Sequence, residues 1–141
     1  MDVKHIDWHI FDGCDLREMD LSERDLKGAY FIKVDARGAF FLKAQLQEAN
    51  FEGADLRNAY FVDADLRRAR FEGADLRGAV FTHADLRGAS LQGSITDEHT
   101  TWIDAQTGAL EDEDASAERT TEGIRRIDII ELPVYEYEYE D

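Results

Sequence analysis

Four histidines (His5, His9, His83, His99), one cysteine (Cys14) and 32 acidic residues are the groups in this chain able to bind a metal or move a proton. The histidines show no metal-ligand spacing, and a lone cysteine excludes an internal disulfide. A phosphate loop, a nucleophile elbow and paired cysteines are all missing from the sequence. The acids instead recur two residues before a base. One set is Asp15/Arg17, Asp35/Arg37, Asp55/Arg57 and Asp75/Arg77; another is Asp25/Lys27, Asp65/Arg67 and Asp85/Arg87. Carboxylates beside arginines on a convex surface neutralise one another and leave no pocket in which a pKa could be tuned for acid–base work. The sequence therefore predicts no enzyme, no metal and no cofactor.

What positions these pairs is a beat of five. Eighteen positions, counted in steps of five from Ile6 to Leu91, are large and apolar at all but Ala36. Two residues upstream of them runs a small-residue register, including Ala29, Val34, Ala39, Ala44 and Ala49 and continuing to Ala89. A helix of 3.6 residues per turn would drift against this beat, and a long strand would put residues five apart on opposite faces. A short extended piece followed by a corner satisfies it. In A-D-L the first and third residues then point inward and the aspartate outward. Glycines at the corner position, such as Gly28, Gly53 and Gly78, ease the turn. Cys14, Met19 and Arg24 fall in the small-residue register of an irregular first coil; Cys14 is expected inside, and Arg24 at an end or corner. A fixed period of this kind marks a solenoid, whose units bury their faces only by stacking.

The A-D-L-R-G and A-N-F-E-G runs and their variants (residues 54–58, 74–78 and 84–88) resemble the pentapeptide-repeat family, over roughly residues 4–95. The resemblance implies an all-β fold, a right-handed quadrilateral β-helix with four pentapeptides per coil. It implies about four and a half coils of 20 residues, a prism roughly 22 Å long at the usual strand spacing. Phe41, Phe61 and Phe81 would then stack along one wall, and Phe31, Phe51 and Phe71 along the opposite one.

On that prism the aspartate–arginine sets occupy two opposite walls. A third wall presents Phe40, Tyr60 and Val80 in one column and Leu42, Val62 and Thr82 in the next. Contiguous outward apolar residues need a cover: the chain's own tail, a second copy in a homodimer, or a foreign partner. The fourth wall mixes Tyr30, Ile32, Asn50, Glu52, Arg70, Glu72, Ser90 and Gln92 and suggests nothing specific.

Three segments follow: the repeats (4–95), a cap (96–110) with Trp102 as its end plug, and a tail (111–141) that carries much of the charge. The net charge is −16, and residues 99–141 hold 13 acids and 3 bases, a net of −10. Residues 111–122, beginning Glu111, Asp112, Glu113, Asp114, read as a mobile acidic linker. Beyond it, Ile127, Ile129 and Leu132, then Tyr135, Tyr137 and Tyr139 alternating with Glu136, Glu138 and Glu140, read as an extended segment with one aromatic and one anionic edge, which either lies on the apolar wall of its own or a sister prism or docks on a partner's sheet edge or basic groove. Such an acidic chain disfavours direct contact with nucleic acid or an anionic membrane. No spanning segment or secretory signal is seen, so a cytoplasmic place is expected.

The resemblance also implies a function. Characterised pentapeptide-repeat relatives include acidic rods that bind DNA gyrase or topoisomerase IV, mimic DNA, and protect those enzymes from quinolones or toxins. This makes a DNA-mimicking topoisomerase ligand the most specific expectation. The alternative is an assembly module that docks on a larger complex through the apolar wall and the tail.

Overall fold

The computed structural model describes residues 10–107. Within them the backbone climbs in four-sided coils. Parallel bridges join each residue to the one 20 positions later, in four columns: Ile10, Tyr30, Asn50, Arg70 and Ser90; Asp15, Asp35, Asp55, Asp75 and Ile95; Asp20, Phe40, Tyr60, Val80 and Thr101; Asp25, Gln45, Asp65, Asp85 and Gln106. Each bridge is a single residue wide. A side of the coil is thus shorter than a regular strand, and the β character resides in the ladders between coils.

The five-residue unit accounts for its own backbone donors. Taking the unit at 35–39, the Asp35 N–H donates back to the Cys14 carbonyl and the Ala36 N–H forward to that of Asp55. The Gly38 N–H donates forward to Arg57 O, and the Ala39 N–H closes the turn on Ala36 O. One donor is left, that of Arg37, and it points to Asp35 Oδ1. Outside the turn at 97–100, the corner residues from Gly13 to Asp104 have a positive φ, between 55° and 79°, as the third residue of a type II turn does. Ten of the described non-glycine residues, Lys43 and Asp63 among them, adopt this left-handed conformation.

The interior follows the beat of five. Phe31, Phe41, Phe51, Phe61, Phe71, Phe81 and six leucines are fully buried, with the alanine register filling the space beside them. Phe41, Phe61 and Phe81 stack with centroids 4.9 and 5.1 Å apart; Phe11, Phe31, Phe51 and Phe71 form the second ladder. The ladders meet edge to face, as between Phe51 and Phe61 at 5.7 Å, an arrangement that suits the ring quadrupoles. Val34 and Ala36 are both buried, the larger side chain standing in the small register where the central residue is small.

Cys14 departs from the expectation of an interior place: it is exposed. It belongs to the first described coil, and among the described residues only the following coil, at Val34, stacks on it. Met19 and Arg24, in the same register of the same coil, are exposed as well.

The last coil changes pitch. Asp75 pairs with Ile95, 20 residues on, but Val80 pairs with Thr101 and Asp85 with Gln106, 21 residues on. The added residue is absorbed in a turn at 97–100. There the Thr100 N–H donates to Asp97 O, and the Thr100 hydroxyl donates to Leu76 O at 2.9 Å. In the preceding coil the Asn58 corner N–H donates to the Arg77 carbonyl. Gly78 instead finds the Asp97 carboxylate, at 3.1 Å. This shift brings Trp102 into the phenylalanine register, buried and stacked on Phe81. The ladder thus reaches past residue 95.

Candidate interaction faces

The two charged walls are ion-pair lattices. Arg57 donates from Nε and Nη2 to the two oxygens of Asp55 at 2.8 and 2.7 Å, and its Nε also lies 3.7 Å from Asp75 of the next coil. Arg17 and Arg37 repeat this arrangement, as does Arg67 on the opposite wall; Arg77 and Arg87 make the same fork on their own aspartates. The hydrogen bond from Arg17 pulls the Asp15 carboxyl down to about 2. Arg37, Arg57, Arg77 and Arg87 likewise hold Asp35, Asp55, Asp75 and Asp85 below the ordinary carboxylate range, chiefly through the forked side-chain bond. The arginines in turn are raised by their aspartates.

Each of these aspartates has a second duty that the charge pattern alone does not reveal. Its Oδ1 also receives the one backbone N–H of the unit that neither ladder nor turn employs, as from Arg57 to Asp55. Asn50 does the same for Glu52, Asp20 for Ser22, and Ser22 reaches across a coil to Leu42. The signal lay in the residue type, a short side chain with an oxygen two bonds beyond Cβ, which is the geometry of an Asx turn.

Lys27, Gln45 and Gln47 interrupt the second charged wall. Gln47 Nε2 donates to Asp65, while Gln47 Oε1 is buried and finds no hydrogen-bond partner among the described residues. A shallow recess of about 250 Å³ lies near the C-terminal end, lined by Arg57, Arg77, Asp97 and His99. Burial raises the Asp97 carboxyl, but the N–H groups of His99 and Gly78 and the Thr100 hydroxyl outweigh it, so the net shift is downward. Its arginines are forked on Asp55 and Asp75, and His99 Nδ1 lies 3.7 Å from Asp97. Among the described residues no three His, Cys, Asp or Glu side chains gather as a metal site, and no helix is long and apolar enough to cross a membrane.

The third wall is the apolar one. Phe40 and Tyr60 stack on the outside, centroids 4.9 Å apart and planes within 3°. Leu42 and Tyr60 are exposed, and Phe40, Val62 and Val80 are half-buried. The structure thus sets these five residues side by side on one surface. One edge of this wall is the corner column Glu23, Lys43, Asp63, His83, Asp104, in which acid and base alternate. His83 pairs with Asp104 at 3.3 Å. The fourth wall carries an Arg70–Glu72 pair and an exposed Tyr30. The sequence-derived docking residues Ile127, Ile129, Leu132, Tyr135, Tyr137 and Tyr139, and the acidic set from Glu111 to Glu140, lie outside the described residues.

Fold and surface together define a β-helical solenoid with flat faces. The family profile described as pentapeptide repeat region matches residues 5–81, and the chain belongs to the pentapeptide-repeat family. Among solved structures, a trypsin-treated form of QnrB1, a plasmid-mediated fluoroquinolone resistance protein, is similar at 23% identity with a TM-score of 0.58. The match covers 70% of this chain and 52% of that one, so this chain spans about half the length of that form. The pentapeptide repeat protein Rfr23 of the cyanobacterium Cyanothece matches at 21% identity and a TM-score of 0.48, over 71% of this chain and 94% of its own. A pentapeptide repeat protein of the Arabidopsis thaliana thylakoid lumen matches at 29% identity and a TM-score of 0.47, over 77% of each chain. No curated protein matches the sequence.

Proposed function

We propose that this chain is a non-catalytic protein-binding module that docks through its apolar wall. The observation that carries this reading is the stacked, outward-facing Phe40–Tyr60 pair with Leu42, Val62 and Val80 around it. Exposed apolar surface that is contiguous costs solubility unless something covers it. The charged walls, by contrast, are internally neutralised and offer a partner little net field.

A photo-crosslinking residue in place of Val62, in the full-length chain expressed in cells, tests the reading. A discrete adduct is expected from position 62 and none from position 57 on a charged wall. Absence of any adduct from position 62, or equal labelling from both positions, would remove the reading.

The second reading names the partner: a type II topoisomerase such as DNA gyrase or topoisomerase IV, whose DNA groove the acidic chain occupies. It is favoured by the net charge of −16, most of which the paired walls do not absorb. Such a ligand inhibits supercoiling or relieves quinolone poisoning in a purified gyrase assay, with an effect that weakens as salt rises. Supercoiling unaltered by an excess of full-length protein at low salt, with and without drug, would reject it.

A further inference from the structure

Resting on the docking reading above, we infer that the occupant of the apolar wall is a second copy of this chain, packed face to face and antiparallel. The alternating corner column selects an antiparallel copy with the axis between two coils, and the stacked Phe40–Tyr60 pair sets which two. A twofold axis lying in the interface and perpendicular to the prism turns each column onto its own reverse. Placed between the Phe40 and Tyr60 coils, that axis sets Lys43 opposite the second copy's Asp63 and Glu23 opposite its His83. It sets Phe40 on the second copy's Tyr60 and Leu42 on its Val62. By symmetry the Lys43–Asp63 pair forms twice. Among the described residues neither Lys43 nor Asp63 has an ion-pair partner within its own chain, so both are available.

An axis between the Tyr60 and Val80 coils also opposes unlike charges but sets Phe40 against Thr101 and forfeits the Phe40–Tyr60 contact, and two further arrangements meet like-charge opposition. An axis through the Tyr60 coil would bury Val80 against Phe40, but would face Asp63 with Asp63 and Glu23 with Asp104. An axis along the prism would face Glu23 with Glu18 across the wall. Opposite charges directly opposed favour pairing, and like charges so placed disfavour it. The Asp20 and Ser22 positions then fall opposite Val80 and Thr82 and form a polar rim. The face is only a few coils long, so it buries less than the roughly 800 Å² per partner of a standard interface, and the dimer is expected to be concentration-dependent.

Sedimentation equilibrium of the full-length chain, taken up to about 1 mM, tests this. A reversible monomer–dimer equilibrium is expected. Tyr60→Arg should abolish it. Lys43→Asp alone should weaken it at least tenfold, and Lys43→Asp combined with Asp63→Lys should restore it, because the exchanged pair re-forms across the twofold axis. A monomer at every concentration, or a dimer indifferent to all three variants, would overturn the inference. The mass of the position-62 adduct separates this failure from that of the docking reading. Twice the chain mass supports the second copy. An adduct with another protein leaves docking standing and overturns the second copy, as does an internal adduct of unchanged mass with the chain's own tail. No adduct overturns both.

Discussion

Trp102 lies flat on Phe81, centroids 4.6 Å apart and planes 7° apart, although one residue more separates them than separates Phe61 from Phe81. The turn at 97–100 absorbs the difference, anchored by the Thr100 hydroxyl on Leu76 O and by Asp97 on the Gly78 N–H. The stack is the last described rung of the aromatic ladder, and Trp102 closes the ring face that Phe81 would otherwise show at the end of the coil.

Trp102→Ala is expected to cost about 3 kcal/mol, the lower end for deleting a buried aromatic, since the end of a solenoid relaxes more readily than its middle. Phe61→Ala should cost more, about 4–5 kcal/mol, because Phe61 stacks on two rings and meets two others edge-on. Urea unfolding monitored by circular dichroism measures both. An order reversed between the two would show that the end, and not the middle, limits the stability of the prism.

Acid should loosen the lattice in a defined window. Asp15, Asp35, Asp55, Asp75 and Asp85 have folded-state pKa values below their unfolded ones. Their contribution is therefore complete above the unfolded value of about 3.9 and is lost as pH falls through the folded values, about 2 for Asp15. The melting temperature, followed by circular dichroism, should hold from neutral pH to about 5 and decline below about 4. Each pair is open to solvent, so the individual effects are small and the decline reflects their sum. A melting temperature unchanged down to pH 2 would contradict it.

Gln47 is the weak point of the second charged wall. Gln45→Asp with Gln47→Arg would install the fork that Asp65 and Arg67 already make, and would remove a buried oxygen that lacks a partner. The double variant should gain about 1 kcal/mol. Differential scanning calorimetry gives the comparison; a lower melting temperature would show that like charges in the two columns outweigh the fork.

Gly78 occupies a corner with φ +73° directly over Asn58, whose amide oxygen a Cβ at this position would meet. Gly78→Ala is expected to lose about 1–2 kcal/mol from the left-handed conformation alone. Asn58→Gly relieves the contact, but Asn58 is itself left-handed at φ 61°, so the loss from Gly78→Ala is read against Asn58→Gly alone, and in that background only part of the loss should disappear. Full recovery would assign the effect to the contact.

Inward phenylalanines and leucines, the alanine register and the outward Asp–Arg columns are strictly local, because alternation along a short extended piece decides which side a residue faces. The apolar wall was legible too, once a coil of 20 residues was assumed from the resemblance. The second duty of the aspartates was not legible as charge, since it depends on one specific backbone N–H being left over by ladder and turn. Cys14 was misplaced because a register tells which way a side chain points and not whether another coil lies over it.

The sequence by itself determined the beat of five and the identity of the core, because both follow from local backbone geometry and side-chain hydrophobicity. Only the tertiary structure decided which residues of successive coils stand over one another. The one-residue step before Trp102, the interrupted lattice at Gln47 and the alternating column from Glu23 to Asp104 all arise from pairing between residues 20 or 21 apart. Such pairing is set by hydrogen bonds between coils, which no single repeat contains.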